Sequence, residues 1–194
     1  MQPDLFGTPA PLLPPGFLFR TEAISPEEES EIIRQLAPLP FKEFEFRGYE
    51  GKRRVVSFGW KYDFSAQKLL KADPIPEFLV RLCEDVVARC GFPFSGMSQV
   101  LVTEYTAGAA IGWHKDRPVF EQVVGLSLAS PCTFRLRRPE GAKWTRVNFL
   151  APPRSSYFME GPARWDWEHS IPPVEDLRYS ITFRNMRRAP DKSG

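Results

Sequence analysis

The chain has 194 residues, is 42% hydrophobic and 26% charged, and carries a formal net charge of +2. That length supports one domain with a sizeable core, and the composition excludes a disordered chain. No run of about 18 apolar residues is present, which excludes a membrane-spanning helix, and three scattered cysteines, Cys83, Cys90 and Cys132, exclude a disulfide framework or a CxxC zinc site.

Residues 1–50 carry four basic and nine acidic side chains, and residues 51–194 carry 22 and 15. The mildly basic body suits an anionic partner such as nucleic acid, and it equally suits a well-solvated surface. The chain opens on Pro3, Pro9, Pro11, Pro14 and Pro15, which predict an extended proline-rich arm over residues 1–20. A single domain is expected over 21–188, with a short tail at 189–194. The absence of a charged leader before an apolar run, with the sparse cysteines, predicts a reducing, cytoplasmic location.

Ser25-Pro26-Glu27-Glu28 predicts a helix start: serine caps, proline suits the first turn and Glu28 completes a capping box. Ile32, Ile33 and Leu36 give this helix an apolar face, and Pro38 and Pro40 end it. A second helix is predicted from Pro76 to Cys90, where Phe78, Leu79, Leu82, Val86 and Val87 recur at helical spacing before Gly91. Elsewhere the apolar period is two. Strands are predicted at Glu43–Arg47, Arg53–Tyr62, Gln99–Tyr105, Gln122–Ala129, Thr133–Arg137, Trp144–Phe149, Ser156–Met159 and Tyr179–Asn185. Strands following a short helical section predict a mainly β fold with supporting helices. Its core, over about 98–186, is a double-stranded β-helix of the jelly-roll or cupin type.

The two histidines of the chain are His114 and His169. In a strand, residues two apart share a face, so His114 and Asp116 are expected to enter the barrel together. An imidazole and a carboxylate side by side make two-thirds of a facial triad for iron(II), and His169 can supply the third ligand. Further on, Arg178-Tyr179-Ser180-Ile181-Thr182-Phe183-Arg184 places two arginines six apart, pointing the same way and about 20 Å apart along a strand. An inward guanidinium is costly unless it meets an anion. The pair can grip a small dicarboxylate, or each can pair with local acids such as Glu175 or Asp176.

The order Tyr105, His114-x-Asp116, His169, Arg178-x5-Arg184 resembles the AlkB-like family of iron(II)/2-oxoglutarate dioxygenases. Gly125-Leu126-Ser127-Leu128, Pro153-Arg154-Ser155-Ser156 and Gly161-Pro162-Ala163-Arg164 are similar to its flanking sequences. The resemblance implies that His114, Asp116 and His169 ligate Fe(II) and that 2-oxoglutarate chelates the metal. Arg178, helped by Tyr105, would bind its distal carboxylate, and Arg184 would sit by the metal-side carboxylate. It further implies O2 as oxidant, and release of succinate, CO2 and, from an N-methyl group, formaldehyde. Two departures stand out. Thr103 stands where the family has an asparagine, which removes an amide from the 2-oxoglutarate site. Pro118 stands where some base-repairing members carry an acid.

Nucleic acid is the family's commonest substrate, so the resemblance implies a demethylase of alkylated single-stranded DNA or RNA, a repair activity. Arg54, Phe58, Trp60 and Tyr62 alternate on one predicted strand. They offer a basic, aromatic face for a flipped base, within a lid expected at about 40–65. The same alternation also fits an amphipathic strand with its aromatics in the core. Gln2-Pro3-Asp4-Leu5-Phe6 looks like the peptide with which bacterial DNA-repair proteins dock on the sliding clamp. Two other functions share these features: a dioxygenase acting on a protein or small molecule, and a non-catalytic cupin-like binding module.

Overall fold

Residues 12–46, 49–63 and 68–187 are described by the computed structural model. Strand β1 (Phe17–Arg20) precedes helix α1 (Pro26–Leu36), followed by β2 (Lys42–Phe46), β3 (Tyr49–Phe58), β4 (Trp60–Asp63) and β5 (Lys68–Lys71). Helix α2 (Glu77–Cys90) leads into β6 (Met97–Tyr105), β7 (Ile111–His114), β8 (Phe120–Leu128), β9 (Cys132–Glu140), β10 (Lys143–Ala151) and β11 (Ser156–Met159). Helix α3 (Gly161–Trp165), β12 (Glu168–Ile171) and β13 (Arg178–Met186) complete the order.

Both long helices form where their local signals place them. Ser25 Oγ accepts from the Glu28 amide at 3.1 Å, and the Glu28 carboxylate accepts from the Ser25 amide at 2.6 Å. Two otherwise orphaned N–H groups are satisfied, so α1 starts there. Helix α2 stops where Gly91 takes a φ of +65°, a left-handed cap that glycine adopts without strain.

Two antiparallel sheets carry the fold. The larger runs β1-β11-β8-β13-β6-β3-β2, the smaller β10-β9-β12-β7, and the β4-β5 hairpin stands apart. Alternation along β6 explains how the larger sheet serves two cores. Val100 and Val102 face α1 and α2, in one core with Val56, Phe58, Leu126, Ile181 and Phe183. Tyr105 turns to the opposite face, in a second core with Phe17, Val123, Phe134, Leu136 and Met159 from both sheets. This is a jelly-roll core with helices against one side. No helix among the described residues is long and apolar enough to cross a membrane.

The structure departs from the predicted elements in several places. Arg53–Tyr62 is not one strand: β3 ends at Phe58, Gly59 takes a φ of +74°, and β4 starts at Trp60. The segment read as an arm contributes β1, whose Phe17 pairs with Met159 of β11 at the edge of the larger sheet. Strands β5 and β12 have no counterpart among the predicted strands, because four residues are too few to show a period. Gln2–Phe6 and the 189–194 tail lie outside the described residues.

The break at Gly59 has a steric cause. Its amide donates to the Asp73 carbonyl at 2.7 Å, and a Cβ there would come within 2.3 Å of the Ser98 carbonyl oxygen. Gly59→Ala is therefore expected to destabilise the fold by about 1–3 kcal/mol, read as a lowered urea midpoint. An unchanged midpoint would contradict the steric reading.

Candidate active site

Strands β7 and β12 place the two histidines. His114 and His169 are direct cross-strand partners, so their side chains leave the small sheet on the same face. Their rings lie 4.2 Å apart between centroids. His169 stacks on Phe134 at 5.7 Å with an interplanar angle of 7°, which fixes its orientation. His114 Nδ1 lies 2.8 Å from the Gly112 carbonyl oxygen. Nδ1 therefore carries the proton that is donated, and the Nε2 lone pair is left for a ligand.

Asp116 reaches the same space by a different route from the one expected. Strand β7 ends at His114, so strand alternation does not aim the carboxylate. Arg184 does: its Nε donates to Asp116 Oδ1 at 2.8 Å, and its Nη2 lies 2.5 Å from the same oxygen. Oδ2 lies 3.8 Å from His169 Nε2 and is buried without a hydrogen-bond partner among the described residues. Among the described residues, no three His, Cys, Asp or Glu side chains already stand at the mutual distances of a closed metal site.

Burial sets the protonation states. Desolvation lowers the pKa of His114, and it pushes His169 down to about 3, with the neighbouring His114 adding to the effect. Both imidazoles are neutral, so the contact between His169 and Asp116 is not an ion pair. Burial alone would raise the pKa of Asp116. The charge of Arg184 foremost, with Arg164 behind it, outweighs burial and holds the carboxyl well below its usual range. Two neutral imidazoles and a carboxylate with an unsatisfied oxygen fit a divalent iron.

Register places the arginines. Strand β13 lies between β6 and β8, with Arg178 opposite Tyr105 and Arg184 opposite Gln99, so both guanidiniums face the second core. Neither pairs with Glu175 or Asp176. Arg184 Nη1 donates to Gln99 Oε1 at 2.9 Å. Arg178 donates from Nε and Nη2 to Ser127 Oγ at 3.2 and 3.0 Å and lies over the Tyr105 ring at 5.0 Å. Its Nη1 is buried with no hydrogen-bond partner among the described residues. A buried cationic donor without a carboxylate fits the far end of a dicarboxylate. Thr103, opposite Ser180 and buried, shares the face of Arg178 and Tyr105.

The four residues proposed for substrate do not share a face. Arg54 is opposite Glu104, which turns it towards the helices, and Arg54 Nε and Nη2 donate to Glu104 at 2.7 and 2.9 Å. Phe58 is buried in the helix-side core. Trp60 and Tyr62 sit on the separate β4-β5 hairpin, where Arg117 lies 4.3 Å over the Tyr62 ring. The residue missed is Arg53. It is opposite Tyr105 on the barrel face, close enough to bear on the titration of His114. Only the phase of β3 against β6 separates Arg53 from Arg54, and adjacent arginines carry no sign of that phase. Arg164, fully buried, was noted only as flanking sequence. Its Nη2 donates to the Arg117 and Phe120 carbonyls at 2.6 and 2.9 Å and so holds the loop after Asp116.

Comparison with known proteins shows what the chain is similar to. Residues 15–187 match the family described as the 2OG-Fe(II) oxygenase superfamily. The tRNA (carboxymethyluridine(34)-5-O)-methyltransferase ALKBH8 of Macaca fascicularis is 30% identical over 92% of this chain, and the chain spans 31% of that protein. The Alkylated DNA repair protein ALKBH8 homolog of Arabidopsis thaliana is 24% identical over 90% of the chain and 56% of its own length. The solved structure of OsALKBH1 superposes with a TM-score of 0.71 at 18% identity, covering 89% of this chain and 98% of that one.

Two outcomes are expected. Arg178→Met should weaken 2-oxoglutarate binding by about tenfold or more by removing a charged hydrogen-bond donor, measured by calorimetry; unchanged binding would exclude this role. Because the folded protein holds both histidines neutral, the unfolded chain binds more protons below their ordinary pKa. Stability of the metal-free protein should then fall as pH drops from about 7 to about 4.5, more shallowly in His169→Gln. Thermal melts across that range test it.

Proposed function

This chain belongs to the 2OG-Fe(II) oxygenase superfamily, among its AlkB-like members, and on that footing we propose oxidative demethylation of N-alkylated bases in DNA or RNA as its activity. Family membership makes it a dioxygenase that requires Fe(II), 2-oxoglutarate and O2. Bound iron(II), with 2-oxoglutarate and oxygen, would supply the oxidation of an N-methyl carbon, with formaldehyde, succinate and CO2 as the products. His114, Asp116 and His169 would hold the metal. Arg184 keeps Asp116 ionised and turned, and Arg178 receives the far carboxylate.

The contact of Arg117 with Tyr62 carries the nucleic-acid reading. It joins the β4-β5 hairpin, with Trp60 and Tyr62, to the residue next to a metal ligand. Aromatic rings and cations beside a reactive centre are what an extruded base and its phosphates need. Lys115 flanks Asp116 on the other side, its ammonium donating to the Trp165 carbonyl at 2.7 Å. The names of two relatives, one a tRNA-modifying enzyme and one an alkylated-DNA repair protein, support the same class. Clamp docking through Gln2–Phe6 finds no support among the described residues and is not part of the proposal.

The test is turnover with iron(II) and 2-oxoglutarate on N-methylated DNA, RNA and peptides. Formaldehyde and succinate are expected with methylated single strands and should be lost in Asp116→Ala. Turnover with methylated peptides alone, or succinate release indifferent to nucleic acid, would overturn the substrate. Arg117→Ala should raise KM for the oligonucleotide and flatten its salt dependence, with the KM for 2-oxoglutarate unchanged.

A further inference from the structure

Between Arg178 and Arg184 the barrel face of β13 presents Ser180 and Thr182. Thr182 pairs with Gly125 of β8, and Gly125 pairs with Tyr157 of β11. The Tyr157 ring occupies the space above that glycine. A Cβ on Gly125 would come within 2.2 Å of the ring Cζ and 2.6 Å of the hydroxyl oxygen. The phenol tip therefore stands over the row that separates the two arginines.

The ring has little freedom to leave. Phe17 stacks on it at 5.7 Å with an interplanar angle of 13°, and Phe134 packs at 4.9 Å, tilted by 51°. Phe134 also carries His169, so one aromatic stack holds both the phenol and a metal ligand. Asp116, Arg184, Tyr105 and Arg178 all act on the hydroxyl's titration, which places it within electrostatic reach of both ends of the site. Burial first, and Asp116 next, push its pKa up, so it stays a neutral O–H donor.

A dicarboxylate held by Arg178 at one end, with its other end beside Asp116, has to cross this row. We propose that Tyr157 is a positioning residue for 2-oxoglutarate, its ring closing the middle of the cosubstrate channel and its hydroxyl donating a hydrogen bond to the bound molecule. Gly125 is the complementary half of the device, because any side chain there would displace the phenol. Tyr157 thus supplies a polar contact in a site where Thr103 offers less than an amide would. The inference concerns the cosubstrate and is independent of the nucleic-acid reading.

The test is titration of 2-oxoglutarate into manganese(II)-loaded protein by calorimetry, without substrate or turnover. Tyr157→Phe keeps the ring and removes only the hydroxyl. It should weaken 2-oxoglutarate binding about tenfold, the worth of one well-placed hydrogen bond, while manganese affinity and the thermal midpoint stay near wild type. Equal 2-oxoglutarate binding by wild type and Tyr157→Phe overturns the proposal, and so does an equal loss of manganese affinity, which marks a general collapse of the site. A second pair tests the channel. Gly125→Ala should weaken binding in the wild-type background and have little further effect in Tyr157→Leu, where the clash is gone. The same penalty in both backgrounds overturns the role of Tyr157.

Discussion

A guanidinium buried inside a β-barrel has to meet an anion, and this protein meets that requirement in two ways. Arg184 is paired from within by Asp116, at 2.8 Å from its Nε. Arg178 meets a serine hydroxyl, an aromatic face and the Cys132 thiol, with one donor buried and unsatisfied among the described residues. The first pairing builds the metal end, since it holds Asp116 ionised and turns one carboxylate oxygen towards His169. The second leaves a buried charge with the chemistry to receive a dicarboxylate, the role proposed for it. One strand carries both arginines, so one register decides both.

That register depends on the rest of the fold. Strand β13 is hydrogen-bonded on both sides, to β6 and β8, at the centre of the larger sheet. Its apolar residues, Ile181 and Phe183, are locked into the core under α1 and α2. A slip by one residue would turn them into the barrel and withdraw both arginines from the site, so packing on the helix side holds the chemistry on the barrel side. The small sheet contributes through the pairing of β7 with β12, which sets two histidines opposite each other from segments 55 residues apart in sequence. Arg164, reaching from α3 to the carbonyls of Arg117 and Phe120, fixes the loop that delivers Asp116.

The substrate side is built differently. The β4-β5 hairpin pairs with itself, outside both sheets, and is tied to the metal loop by the stacking of Arg117 on Tyr62. A contact between exposed or half-buried groups is weaker than a sheet ladder, which suits the base-admitting role proposed for this element. Phe58, one residue before Gly59, is core, and Trp60, one residue after it, belongs to the hairpin. The left-handed glycine is the boundary between the helix-side core and the hairpin in this segment.

Two of the proposed metal ligands and the arginine pair were legible in the chain because each is a short-range pattern: His114 two residues before Asp116, and Arg178 six before Arg184 on a strand with period two. The start of α1 and the stop of α2 were legible for the same reason, since capping chemistry is local. The residues that hold those groups in place were not. Arg184 as the clamp on Asp116, Arg53 rather than Arg54 on the barrel face, and Tyr157 over Gly125 all follow from which strand lies beside which, and in what register. By itself the sequence determined which side chains can do the chemistry and where local elements begin and end. Tertiary structure decided which of two adjacent residues enters the barrel and what each buried charge meets. Strand phase is set by pairing partners far along the chain, and a buried charge is tolerated only where those partners bring its counterpart.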